Sequence, residues 1–325
     1  MQQRIGSSTA VMRRWLASSA AALHRHEDQL NCLNVFPVAD SDTGTNLALT
    51  LDAGATAATM INTSLIGELF QICAHHCLEE AKGNSGTLFA VMLAGMADPL
   101  ADQQRLTVLG LTQALEHGRV RVRSALNDPV DGTILSVVDA ITSAARQWQD
   151  PEDSNRNLAE LLVHLVDAAT EEVGRSGEVL PVLRGTGQVD AGALGCLIII
   201  DCLAHTVRGR HYPGAENRPY GEWLGTAAPP FRAPRGRRLP ESDLSEGGVE
   251  FMCSIELDAL TAARVRHELA RVGESVIMTA MTPAAETIRW KVHVHVPEAA
   301  TAMSVLSEHG KPAGITTEPL TAGRG

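Results

Sequence analysis

The sequence predicts a multidomain α+β protein, with an all-α domain first and a small α/β domain after it. Three observations carry this: helical periodicity up to about residue 206, a break rich in Pro, Gly and Arg near 211–240, and alternating patterning beyond Gly248. In the first stretch Ala, Leu, Val and Met recur at three- and four-residue intervals between Gly- or Pro-marked breaks. The spacing predicts helices near 8–30, 44–60, 66–80, 85–97, 107–126, 133–148, 155–173 and 191–207. Eight such segments with almost no strand pattern argue for a purely helical domain.

The break reads HYPGAENRPYGEWLGTAAPPFRAPRGRRLP from His211 to Pro240. Crowded prolines and glycines hold neither a helix nor a central strand, so the stretch reads as a linker. Its cluster of Arg232, Arg235, Arg237 and Arg238 reads as a solvated tether. Beyond it, Val249–Leu257, Val276–Met281 and Ile288–Val296 are strand-like, while Thr261–Val272 and Ala299–His309 are amphipathic helices. The predicted domains are therefore 1–208, a linker at 209–245, and 246–325.

Composition narrows the function. Of 325 residues 44% are apolar, enough to build about two cores. Lys plus Arg number 27 against 38 Asp plus Glu, and the net charge of −11 argues against nonspecific nucleic-acid binding. Aromatic residues, at 3%, are too few for a stacking platform on single strands, so small aliphatic side chains must fill the cores. The six cysteines lie mostly in apolar helical stretches and read as reduced thiols of a cytoplasmic protein. No targeting segment is evident, and the apolar run Leu197–Ile200 ends at Asp201, far short of the roughly 20 residues needed to span a bilayer.

The most informative stretch is LNVFPVADSDTGTN, from Leu33 to Asn46. Pro37 ends regular structure, Asp40 and Asp42 follow at i, i+2, and Thr43-Gly44-Thr45-Asn46 can start a helix. Paired carboxylates suit Mg²⁺, and amides at a helix start attract phosphate oxygens carried on that metal. A plain helix start with Asp42 or Thr43 as N-cap fits the same residues. An EF-hand does not, because counting from Asp40 the sixth and twelfth positions are Thr45 and Leu51 rather than Gly and Glu.

A second turn, Lys82-Gly83-Asn84-Ser85-Gly86, could bring backbone and the Ser85 hydroxyl close to a phosphate, although helix connections use such residues routinely. No P-loop or dinucleotide fingerprint is present, so any ATP site lies outside those folds. Asp128-Pro129-Val130-Asp131-Gly132-Thr133 and Gly185–Ala193, which contains Asp190 and Gly192, each open a further helix. Four loops bearing acids or serine, all opening helices in one domain, point away from four independent caps.

LNVFPVADSDTGTN, AKGNSG, DPVDGTIL and QVDAGALG, in this order, resemble the nucleotide-binding domain of the bacterial fatty acid kinase ATP-binding subunit, which is related to the L subunit of dihydroxyacetone kinase. The resemblance covers residues 1 to about 206, and the module through KVHVHVPE is similar to the family's middle domain. It implies an antiparallel eight-helix barrel whose loops hold ATP with two Mg²⁺ ions. Asp40 and Asp42 would be the metal carboxylates and the core of the catalytic site, with Asn34 where the dihydroxyacetone kinase relatives carry a third Asp. Thr43, Gly44, Thr45 and Asn46, with Gly83, Asn84, Ser85 and Gly86, would contact phosphates, and Thr133, Asp190 and Gly192 would lie near the nucleoside. The family usually carries PDGD where this chain has Ala39-Asp40-Ser41-Asp42, and ARGNSG where it has Lys82.

In the second module His293 and His295 share one strand face, which by itself suits either half of a zinc site or two histidines on a half-exposed surface. The resemblance implies a metal site made of a Cys and these two His. The matching position is Glu250, since Cys253 faces the other side of its strand, so Zn²⁺ would be held by Glu250, His293 and His295. Cys73 and Cys77 share a helix face but read as buried core thiols.

The expected activity is transfer of the γ-phosphate of ATP to a fatty acid carboxylate presented by a separate acyl-carrier protein, and the kinase chain is expected to form a homodimer. Phosphorylation of dihydroxyacetone and a non-catalytic nucleotide sensor or scaffold are the alternatives. The family carries a further C-terminal domain that docks the carrier; here the chain reaches Gly325 where the middle domain would end, so that domain is expected on a separate polypeptide or to be missing.

Overall fold

The computed structural model describes residues 5–37, 40–150, 152–225, 248–281 and 287–320. Chain contacts divide the protein into two compact units: Met1–Val35, Ser41–Val122 and Val130–Pro229 form the first, and Phe36–Asp40, Arg123–Pro129 and Pro230–Gly325 the second.

The first unit is all helical. Its elements are α1 (Thr9–Arg25), α2 (Glu27–Leu33), α3 (Thr43–Met60), α4 (Ile66–Glu80), α5 (Gly83–Ala97), α6 (Val108–Ala125, of which Arg123 onward counts with the second unit), α7 (Ile134–Gln147), α8 (Asn155–Val179), α9 (Ala191–Val207) and a last turn, α10 (Glu222–Gly225). The eight long helices close a ring. Helix α1 packs on α3 and α9, α3 on α4, α4 on α5, α7 on α8 and α8 on α9. Helices α5 and α6 meet backbone to backbone at Gly95 and Gly118. The Arg119 guanidinium stands 3.7 Å from Asp139 between α6 and α7. This is the expected eight-helix antiparallel barrel.

Aliphatic side chains fill it, with Trp15, Phe70 and Phe89 the large aromatics of the helices' core. Helix α9 is buried on nearly every side, which its run of Leu197–Ile200 requires, since each buried Leu or Ile contributes about 2 kcal/mol. All six cysteines are free thiols, and Cys73 and Cys77 are fully buried as expected of core residues.

Three local departures have physical reasons. The first predicted helix divides at buried His26, whose Nε2 accepts the Ala215 amide at 3.2 Å and so turns the chain between α1 and α2. Helix α8 runs past Gly174 to Val179, because a side chain at Gly177 would collide with the Gln188 carbonyl and glycine lets the helix pass. The predicted linker is ordered through Gly225: residues 211–225 fold on the helical unit, with Ala215, Tyr220 and Leu224 buried. The Arg232–Arg238 cluster lies outside the described residues.

That ordered stretch is anchored by Asp201, a carboxylate only 1% exposed on α9. It accepts from Arg218 Nε and Tyr220 OH at 2.6 Å each, and His205 Nδ1 lies 3.1 Å away. Burial alone would raise the carboxyl, but the His205 and Tyr220 hydrogen bonds and the nearby charges outweigh it and hold it below its ordinary value.

The second unit carries an antiparallel sheet in the order β2-β3-β1-β4, with β1 Val249–Leu257, β2 Glu274–Ala280, β3 Ile288–Val296 and β4 Ala313–Pro319. Helices α11 (Ala259–Val272) and α12 (Ala299–Ser307) cover the face made by Phe251, Cys253, Ile255, Val292, Val294 and Val296. Strand β4 adds to the three strands that the patterning predicts. It is an exposed edge without an apolar face, so period-two alternation gives it no signal.

Asp201→Ala leaves Arg218 and Tyr220 without their common acceptor, and urea unfolding of this variant is expected to show a loss of about 3 kcal/mol.

Candidate functional site

The site is built at helix starts. Asp42 occupies the N-cap position of α3, but its side chain makes no capping hydrogen bond. Asn31 of α2 caps the helix instead: its Oδ1 accepts the Gly44 amide at 2.7 Å and the Thr45 amide at 3.1 Å, and its Nδ2 donates to Thr45 Oγ1 at 3.0 Å. Thr45 Oγ1 in turn donates to Glu27 at 2.7 Å, which holds that carboxyl below its ordinary value. The Asn46 amide bonds the Asp42 carbonyl at 2.8 Å. The amides of Gly44, Thr45 and Asn46 are thus already engaged. Sequence reasoning missed Asn31 because a lone Asn on a polar face carries no motif.

Beside this start, Asn34 Nδ2 stands 3.5 Å from Asp42 Oδ1. Asp40 and Asp42 are half-buried, and Ser41 between them takes φ 59°, the left-handed conformation that favours glycine. Asp40 falls on the segment counted with the second unit, Asp42 on the first.

Helix α5 starts against α3. Gly83 has φ 60°, and a Cβ there would strike the Asn46 side-chain amide; one at Gly86 would meet Thr50 Oγ1. Helix α9 comes equally close. A Cβ at Gly192 would lie 2.8 Å from Ser85 Oγ and 3.3 Å from Asp190 Oδ1, and one at Gly195 would overlap Leu47 of α3. Three helix starts therefore converge, bringing Asn34, Asp42, Thr43, Asn46, Gly83, Ser85, Gly86, Asp190 and Gly192 together. Asp190 caps α9 by accepting the Ala193 amide at 2.8 Å, whereas the side chain of Lys82, at the N-cap position of α5, makes no capping hydrogen bond.

Thr133 caps α7, its side chain accepting the Leu135 amide. Its neighbour Gly132 packs on Val179 and Leu180, while the Asp190 amide donates to Ser176 Oγ at 2.9 Å, so both loops rest on the last turns of α8. Burial raises the Asp190 carboxyl to about 7, against the Ala193 and Gly192 amides that pull it down.

In the second unit, His293 and His295 sit on the sheet face opposite the helices, and both are buried rather than half-exposed. Glu250, paired in register with His295, brings Oε1 to 3.3 Å from His293 Nδ1 without hydrogen-bond alignment, and both His293 ring nitrogens lack a hydrogen-bond partner among the described residues. Burial first, then the charges of His295 and Lys291, lower His293 well below its ordinary value, and burial lowers His295 to about 4. A buried neutral imidazole with an unsatisfied lone pair fits a metal ligand. Among the described residues, however, no three His, Cys, Asp or Glu side chains are grouped as a metal would need. For Mg²⁺ this is no obstacle, since one or two carboxylates plus phosphates and water hold it.

A helical barrel with acid-bearing loops at converging helix starts, followed along the chain by a small sheet domain, defines a two-domain α+β class. A family profile for the DAK2 domain matches residues 37–205, and one for the middle domain of FakA-like fatty acid kinase proteins matches 248–324. The chain belongs to the DAK2-domain family and joins that domain to a FakA-like middle domain. It is 25% identical over 313 residues to protein YloV of Bacillus subtilis (strain 168), covering 94% of this chain and 54% of that one. A Staphylococcus epidermidis protein is 30% identical over 194 residues, 60% of this chain and 35% of the relative. The chain thus spans about half of the first relative and a third of the second. The crystal structure of the dihydroxyacetone kinase of C. freundii superposes with a TM-score of 0.46 at 20% identity, over 63% of this chain and 36% of that one. Among the described residues no helix is long and apolar enough to cross a membrane.

Two outcomes follow from this geometry. Gly83→Ala forces a left-handed alanine against Asn46, and thermal unfolding is expected to show a loss of about 1–3 kcal/mol. Because the folded-state value of Asp190 lies above the ordinary 3.8, its contribution to stability is complete below about pH 4 and is lost as pH rises toward 7. Melting temperatures recorded from about pH 4 to 8 should lose this dependence in Asp190→Asn.

Proposed function

We propose that this chain is an ATP- and Mg²⁺-dependent kinase subunit that transfers the γ-phosphate of ATP to a fatty acid carboxylate presented by a separate fatty-acid-binding protein. The observation that carries the reading is the convergence of three helix starts beside Asp42 and Asn34. Gly83, Asn84, Ser85 and Gly86 would offer the phosphates the start of α5, which the Asn46 and Thr50 side chains adjoin. Asp42, with Asn34, would hold Mg²⁺, whose charge offsets that of the triphosphate. Asn34 would orient Asp42, Asn46 would brace the Gly83 turn, and Thr133 with the Asp190–Gly192 loop would flank the nucleoside.

Phosphoryl transfer depends mostly on positioning and charge neutralisation. A carboxylate acceptor is already ionised at neutral pH, so the site needs no general base. The acyl chain would stay with the carrier. The FakA-like middle domain favours this acceptor over dihydroxyacetone.

The test incubates the chain with γ-labelled ATP, Mg²⁺ and a fatty-acid-loaded carrier. Label should pass to the fatty acid, and Asp42→Ala should lower the rate by at least about a hundredfold. Undiminished transfer by Asp42→Ala would sink the metal assignment. ATP binding without transfer to any cognate carrier would leave a sensor, and transfer to dihydroxyacetone would replace the acceptor.

A further inference from the structure

We propose that Asn31 is a positioning residue of the nucleotide site, setting the first turn of α3 so that Asp42, Thr43 and Asn46 face the Gly83 turn. This rests on the nucleotide-binding reading above and assigns a role to α2, which contributes no phosphate or metal contact of its own apart from its C-cap, Asn34.

The contacts go beyond one cap. Asn31 takes up two consecutive backbone amides, Gly44 at 2.7 Å and Thr45 at 3.1 Å, and also donates to the Thr45 hydroxyl at 3.0 Å. Glu27 accepts from that hydroxyl at 2.7 Å and is bridged at 3.2 Å to His24, which pairs in turn with Asp52 of α3. Glu27 and Asn31 lie at i, i+4 and Asn34 follows three residues on, so one face of α2 addresses the start of α3 and Asp42. The approach is close: a Cβ at Gly44 would lie 2.9 Å from both Asn31 Oδ1 and the Leu30 Cβ.

With Asn31 in place, the α3 amides are spent inside the protein, and α3 can offer a nucleotide side chains rather than its dipole. Without it, the amides of Gly44 and Thr45 lose their acceptor, the turn loosens, and Asp42 and Asn46 lose their common reference.

The experiment measures MgATP affinity of the whole chain by calorimetry across a Mg²⁺ titration. Asn31→Ala should weaken MgATP binding and raise the half-saturating Mg²⁺ by about tenfold. Asn31→Asp, which keeps the acceptor for both amides, should return both within about twofold of the parent. Ser154→Ala removes an equivalent cap, the 3.1 Å bond to the Asn157 amide at the start of α8. It controls for stability alone and should leave the Mg²⁺ requirement unchanged. If Asn31→Ala behaves like Ser154→Ala, or Asn31→Asp fails to rescue, Asn31 is only a cap and the inference falls. Should Asn31→Ala not fold, Thr45→Val must still raise the Mg²⁺ requirement severalfold, and a parent-like requirement overturns the idea. A parent chain that binds no MgATP refutes the functional reading itself, which the variants' comparison does not touch.

Discussion

The structure depends on one steric constraint: three helices begin within contact of one another, and they can do so only because the crossing positions carry no side chains. Gly83 and Gly86 admit Asn46 and Thr50 of α3, Gly192 admits Ser85 of α5, and Gly195 admits Leu47. Bringing three positive helix ends together is electrostatically unfavourable unless negative charge is supplied. The chain places acceptors at two of them, the Asp190 carboxyl at α9 and the Asn31 carbonyl oxygen at α3.

The same economy governs the acidic side. Of many carboxylates in the chain, Asp42 stands where an amide, Asn34, steadies it and where its neighbour Ser41 accepts a left-handed backbone at a cost of about 1 kcal/mol. Asp201 serves a different end: it is satisfied entirely by the protein, and it fastens residues 211–225 to α9.

Much of this is legible in the sequence. Helical periodicity locates every long helix, and alternation places β1 and β3 to the residue, because each buries one strongly apolar face. The motifs place Asp42, Asn46, Gly83, Ser85 and Asp190 on helix starts. What sequence does not supply is pairing in space. Nothing in HEDQLN marks Asn31 as the cap of another helix, so the α3 amides read as open to phosphate. The burial of His293 and His295 is equally hidden, since alternation gives the face and not what covers it. Residues 211–225 read as a linker because Pro and Gly content reports backbone propensity, while Tyr220 and Arg218 reach a carboxylate about twenty positions upstream.

The glycine-bearing end of α8 has a further consequence. Gly174 and Gly177 weaken its last turns intrinsically, and what keeps them helical is contact with the loop that leads to Asp190, through Gln188 and Ser176. Opening those turns would break their contact with that loop. Backbone amide hydrogen exchange between residues 174 and 179 therefore serves as a built-in gauge of how firmly the loop is seated, read at a distance from any bound ligand.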